Sequence, residues 1–164
     1  DGFFEETQEN LLSVIQAIRY FRPRIILTNA VSDRHPDHGR ASGLVTRAAF
    51  LSGLPKIITE YSGGSVEAHR PQHVFYYLQD RYHHPDFVVD ITDHYELKMK
   101  SVLAYETQFY HEKMEGPDTP ISGQSFLAFI ESRAREMGRL INATYGEGFL
   151  SERPIGVENM MSLV

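Results

Sequence analysis

Cysteine and tryptophan are both absent from this chain of 164 residues. Without thiols, neither disulfides nor thiolate metal sites are open to it, and any bound metal would need His, Asp or Glu donors. No run approaches the roughly 18 consecutive apolar residues of a membrane span, and the acidic opening lacks the basic region of a signal peptide. A cytoplasmic protein without a membrane partner is therefore expected. Positive charge is in the minority, with 16 Lys and Arg against 22 Asp and Glu and a net charge of −6. Phosphate polymers would be repelled at long range, which argues against a nucleic-acid partner. An anionic small molecule would have to be met by locally placed arginines. The apolar share of 41% suits one compact domain covering residues 1–164.

Hydrophobic spacing supplies the outline. From residue 5 to residue 21, Leu11, Ile15, Ile18 and Phe21 fall on one stripe with acids in the first turn, as in a helix lying on a sheet; Arg22-Pro23 should end it. Arg24-Ile25-Ile26-Leu27-Thr28-Asn29 reads as a buried strand. The segment after Gly39 is helical in pattern, with Leu44, Ala48 and Leu51 aligned. Residues 54–71 contain Pro55, Gly63, Gly64 and Pro71 with little periodicity and read as a long connection. Residues 73–78 and 86–91 are strand candidates, the second followed by Asp93 and Glu96 at capping-box-like spacing and a helix through Tyr105. Residues 116–123 form a further loop, and Phe126, Ile130, Met137 and Ile141 mark a last helix. Strands alternating with helices predict an α/β fold with a mostly parallel sheet covered on both faces.

Asp33-Arg34-His35-Pro36-Asp37-His38-Gly39 carries the chemistry, because it sets two imidazoles and two carboxylates within six residues after an apolar strand. Such a set can bind a metal and move protons. Pro36 biases its predecessor toward extended backbone, so His35 and His38 are expected on a loop rather than on successive turns of a helix. In open α/β sheets, ligands gather outside the carboxyl ends of strands, where this loop would sit. A second HPD, His84-Pro85-Asp86, runs straight into Phe87-Val88-Val89 and reads as a turn entering a strand. HPD also marks J-domain co-chaperones, but those place it between two helices, whereas an apolar strand precedes it here.

The loop resembles the second metal-binding motif of the LmbE/PIG-L superfamily of zinc-dependent N-acetylglucosaminyl deacetylases. The likeness extends over Asp1-Gly2-Phe3-Phe4, Arg34 to Arg40, Glu67-Ala68-His69-Arg70-Pro71, Asp86 to Asp90, Tyr105-Glu106-Thr107-Gln108-Phe109-Tyr110 and Tyr145-Gly146-Glu147-Gly148-Phe149. Their order and spacing resemble those of the branch that deacetylates N-acetylglucosaminyl malate in bacillithiol synthesis. The resemblance implies a Rossmann-like three-layer sandwich, a small amino-sugar substrate, and a homo-oligomer, often a hexamer. It also implies that His38 is a zinc ligand, that His35 stabilises the oxyanion or protonates the departing amine, and that Asp37 orients one of these imidazoles. Arg70 is the candidate to grip substrate carboxylates, since guanidinium can hold a carboxylate through two parallel hydrogen bonds.

The family also carries an AHPDD motif on its first strand, holding two of three zinc ligands and the general base, and this chain has none. It therefore resembles the C-terminal two-thirds of such an enzyme, without the N-terminal strands. The segment by itself is expected to be inactive. A non-catalytic ligand-binding or assembly module is the alternative reading.

Overall fold

The computed structural model describes residues 2–109 and 119–163. Helix α1 (Gln8–Phe21) is followed by β1 (Ile25–Thr28), α2 (Pro36–Leu51), β2 (Glu60–Tyr61), β3 (Gly64–Ser65), β4 (His73–Tyr77), β5 (Phe87–Asp90), α3 (Tyr95–Leu103), α4 (Gln124–Leu140) and β6 (Gly146–Ser151). Short 3-10 turns, Thr92–His94 and Met160–Leu163, precede α3 and close the chain. Two compact units are formed, residues 1–86 with 149–164, and residues 87–148.

In the first unit α1 starts one turn into the predicted helix, where the Thr7 hydroxyl accepts the Asn10 N–H and caps it. It ends as expected before Pro23, with Arg22 in the left-handed region as C-cap. Leu11, Ile15 and Ile18 are buried and pack with Leu44, Ala48, Ala49, Val74 and Tyr76 into one core of α1, α2 and β4. Phe21 does not join its stripe: it is 68% exposed, its ring edge-on to Tyr20. β1 lies parallel to β4, Ile25 opposite His73 and Thr28 opposite Tyr76. Among the described residues only one face of β1 is covered, because Ile26 packs on the core while Ile25 and Leu27 are 52% and 57% exposed. The composition of this strand predicts burial on both faces, and the structure corrects that. The long connection holds a small antiparallel hairpin, β2 with β3, turned by Ser62 and Gly63 at positive φ.

Arg19 holds the start of that connection. Only 3% exposed, it donates to the carbonyls of Ser52, Leu54 and Ile57 and to the Thr59 hydroxyl, at 2.5–2.9 Å. Burial lowers its guanidinium from the usual value, yet that value is high enough for the charge to persist.

The C-terminal half of β6 runs antiparallel to β4, with Phe75 opposite Ser151 and Tyr77 opposite Phe149. The sheet is therefore mixed rather than wholly parallel. The sequence reading names no element in this stretch, where Gly146 and Gly148 weaken the strand pattern.

In the second unit β5 lies beside the first half of β6, and Ile91 N–H donates to Tyr145 O at 3.0 Å. α3 begins without a side-chain cap, so Asp93 and Glu96 do not form the expected capping box; the preceding 3-10 turn occupies that position. The helix stops at Leu103, short of Tyr105. On α4, Met137 and Ala134 are buried whereas Ile141 lies past the helix end and is exposed. Tyr110 and residues 116–118 of the loop expected over 116–123 lie outside the described residues, and 119–123 form a turn as expected.

Two glycines set how closely α4 approaches the chain that follows it. A Cβ on Gly146 would come within 2.7–2.8 Å of Gly138 N, Met137 C and the Val88 side chain, and one on Gly138 within 2.8 Å of Ala143 O and Tyr145 N. Backbone atoms cannot yield as a flexible side chain would. Gly146→Ala is expected to cost about 1–3 kcal/mol through overpacking, measurable as a fall in the denaturant midpoint. An unchanged midpoint would show that this contact is looser than it stands.

Candidate active site at the start of α2

The HPDH segment is not a free loop. Pro36 is the first residue of α2, and His35 is its N-cap with extended backbone at φ −82° and ψ 125°. Proline suits this place because its φ is already helical and its missing N–H has no intrahelical partner to lose. The bias that argues against a helix through His35 thus lets one start immediately after it. His38 lies in the first turn, its N–H donating to His35 O at 3.2 Å. The two imidazoles come together, with ring centroids 5.2 Å apart and side chains 27% and 32% exposed. They sit where β1 and β4 end.

Their hydrogen bonds differ in a way that fixes their protons. His38 Nδ1 lies 2.5 Å from Asp33 Oδ2. The Asp33 side chain is 1% exposed, and its other oxygen accepts the backbone N–H groups of Asp80 and Arg81 at 3.0 and 2.9 Å. Burial by itself would raise the Asp33 carboxyl, but the N–H of Arg81, the His38 ring and the N–H groups of Arg34 and Asp80 together hold it below the ordinary carboxylate range. An ionised carboxylate only accepts. His38 must therefore donate from Nδ1, which leaves the lone pair on Nε2. His35 is the reverse: its Nδ1 accepts the Asp37 N–H at 3.3 Å, so the neutral ring carries its proton on Nε2.

Asp37 has a different setting from Asp33. Its Oδ2 accepts the Gly2 N–H at 2.6 Å and lies 3.9 Å from His35 Nδ1. Its Oδ1 is shielded from solvent without a hydrogen bond, the nearest cation being Arg40 at 3.5 Å. Burial works against ionisation, and the N–H of Gly2, the nearby His35 and the N–H of Phe4 outweigh it, lowering the carboxyl's pKa. Asp37 is thus beside His35, while Asp33 holds His38.

Arg70 is not brought to these histidines. Its guanidinium donates to Phe50 O at 2.9 Å and lies over the Phe50 ring, 4.4 Å from the centroid. Phe50 is at the far end of the 16-residue α2, about 20 Å along the helix from its N-cap at 1.5 Å per residue. The basic side chains near the histidines belong to Arg40, 3.5 Å from Asp37, Arg34, paired with Asp80 at 3.3 Å, and Arg81, which donates to Ser32 Oγ at 3.1 Å. The second HPD does what a turn entering a strand should: Asp86 Oδ2 accepts the Ser151 N–H at 2.7 Å.

A catalytic zinc takes three protein ligands and leaves one position open. An imidazole whose other nitrogen is fixed by a carboxylate is the usual form of one such ligand, and His38 with Asp33 behind it has that form. No group of three His, Cys, Asp or Glu side chains converges among the described residues. These residues therefore fit one ligand and not a complete zinc site.

Asp33 is the residue that sequence reasoning passes over as a charged neighbour of the motif. Its partners on the chain lie five residues ahead and 47 and 48 residues ahead. The signal available is an acid directly preceding Arg-His-Pro, which by itself carries no such pairing.

No family model matches the chain. It is 33% identical to the diacetylchitobiose deacetylase of Thermococcus kodakarensis over 146 residues, covering 87% of this chain and 50% of that enzyme. Among solved structures it resembles the conserved protein TT1542 from Thermus thermophilus, with a TM-score of 0.80 at 30% identity over 98% of this chain and 66% of that one. It also shares the fold of the N,N'-diacetylchitobiose deacetylase of Pyrococcus horikoshii, with a TM-score of 0.71 at 22% identity over 100% of this chain and 59% of that one. The mixed α/β fold is thus shared with the Pyrococcus enzyme, and the chain is homologous to the Thermococcus diacetylchitobiose deacetylase, of which it spans about half the length.

Proposed function

We propose that the protein of which this chain is part hydrolyses the N-acetyl group of an N-acetylglucosaminyl substrate with the help of zinc, as a member of the LmbE/PIG-L superfamily. The observation that carries this reading is the pair of imidazoles at the start of α2, one with a proton and the other with a lone pair on Nε2. Amide hydrolysis needs both characters: a donor for the oxygen that becomes an oxyanion, and a base or ligand for the attacking water. The homology to a diacetylchitobiose deacetylase supports the same substrate class.

Zinc, when bound, would polarise the acetyl carbonyl and lower the pKa of its water to roughly 7. The work assigned to these residues does not pass through it. His35 would donate from Nε2 to the acetyl oxygen. The Asp37 N–H, donated to Nδ1 at 3.3 Å, would hold the ring with that Nε2 proton available. The positive end of α2 adds to the stabilisation of a developing negative charge. His38 would contribute one ligand, and the others would come from residues beyond those described.

The finer proposal is a glucosaminide of malate, on the sequence resemblance to the bacillithiol branch, acted on by a cytoplasmic homo-oligomer. No helix among the described residues is long and apolar enough to cross a membrane. Within one copy the malate carboxylates would meet Arg34, Arg40 and Arg81 before Arg70, given where α2 places that last arginine. Acetate release from N-acetylglucosaminyl malate and from diacetylchitobiose by the intact protein separates the two substrates, and release from neither would remove the proposed activity. The ligand assignment has its own test: elemental analysis of His38→Ala should show most of the zinc lost relative to the parent, and equal content would exclude His38 as a ligand.

A further inference from the structure

We infer that Asp33 is a positioning residue that sets the tautomer of His38 and couples the loop after β4 to it. One oxygen of Asp33 receives the His38 Nδ1 proton and the other receives the N–H groups of Asp80 and Arg81. The carboxylate is thereby saturated on both sides in a place from which water is almost excluded. Rotating His38, or moving its proton to Nε2, would leave a buried carboxylate oxygen without its donor, at considerable cost. The same side chain thus holds the ring's direction, its proton and the segment from Asp80 to Arg81.

That segment reaches back by other bonds as well. Arg81 donates to Ser32 Oγ, His83 Nε2 lies 2.8 Å from Ser32 O, and Gln79 Oε1 receives the Ala30 N–H and the Asn29 side-chain amide at 3.3 Å. The ends of the parallel strands β1 and β4 are therefore joined by a polar clasp with Asp33 as its buried member. The effect on His38 is chemical as well as mechanical. With Nδ1 committed to Asp33, the neutral ring keeps its lone pair on Nε2, its centroid 5.2 Å from that of His35, whose own proton is on Nε2. A carboxylate at position 33 thus makes the two histidines a complementary pair rather than two equivalent rings.

The substitution Asp33→Asn is isosteric, yet an amide cannot accept on both sides. Its single oxygen would stay with the two backbone donors, and its NH2 group would face His38 Nδ1, which would then have to accept. Asp33→Asn is therefore expected to shift His38 to the Nε2-protonated tautomer with the clasp retained. Asp33→Ala removes both functions, and amide exchange at Asp80 and Arg81 should quicken about tenfold or more.

The experiment is two-bond 1H–15N correlation of the histidine rings in the intact protein, as purified, at about pH 8.5, where imidazole is ordinarily neutral. The parent should show His38 protonated on Nδ1 both as purified and after a chelator has removed any metal, and metal-free Asp33→Asn, whose Nε2 is open, should show it protonated on Nε2. A metal-free parent with His38 protonated on Nε2 overturns the inference without any variant, as does a metal-free D33N protein that folds and keeps the Nδ1 proton. The inference deepens the proposed amide hydrolysis, but this readout needs no turnover. Spectra as expected from a protein that releases no acetate would support the Asp33 assignment and remove the proposed activity alone.

Discussion

Replacing His35 by alanine is expected to lower the kcat of the intact enzyme about 100- to 1,000-fold, the range for loss of an oxyanion donor or general acid. Zinc content should be unchanged, because His35 Nδ1 is occupied by the Asp37 N–H and the proposed ligand is its neighbour, His38. The same substitution removes the side-chain cap of α2, and losing a cap costs about 1 kcal/mol. A loss of activity through unfolding must therefore be separated from a loss through chemistry. His35→Asn does this: asparagine is among the best N-caps, so it should restore stability without restoring a proton at the position of Nε2. Turnover near the parental rate in either variant would refute the role given to His35, and loss of zinc in either would move that residue into the metal's coordination.

The second large effect concerns stability. Arg19→Ala should reduce the free energy of unfolding by about 3–5 kcal/mol, since three carbonyls and a hydroxyl lose donors in a region that water scarcely reaches. Denaturant unfolding followed by circular dichroism measures it. Arg19→Lys should recover only part of the loss, because an ammonium offers three donors from one point whereas the acceptors on Ser52, Leu54, Ile57 and Thr59 surround a planar fork. A change below about 1 kcal/mol in the alanine variant would mean that the connection after α2 is held by its own turns. The chain's stability would then owe little to this arginine.

What was legible in the sequence was what neighbours along the chain decide. The stripe of Leu11, Ile15 and Ile18, the stop at Arg22-Pro23, and the cluster of His35, Asp37 and His38 all depend on residues within a few positions of one another. Periodicity and proline sterics act over that range. Even the misread start of α2 was a local matter. Pro36 both discourages helix before it and begins helix at its own position, and only the cap geometry of His35 resolves the two.

The rest was decided across the chain. Phe21 has the spacing of a core residue, but the helix ends on it and the rings of Tyr20 and Tyr61 meet it only edge-on, so most of it stays in water. Ile25 and Leu27 have the composition of a buried strand and lie on the face of β1 that α1 and α2 do not cover. β6 is a strand because β4 offers it a partner some 74 residues earlier, at Phe75 and Ser151 through Tyr77 and Phe149, while its own glycines give it little strand preference. Arg70 kept a plausible motif but was carried to the far end of α2. Arg19 looks like an ordinary surface charge in the sequence, and Asp33 like one more charge of the histidine motif. Each is buried because the fold brings acceptors or donors from 33 to 48 residues away to surround it. A charge enters a protein interior only where such partners are assembled around it, and assembling them is the work of the tertiary structure.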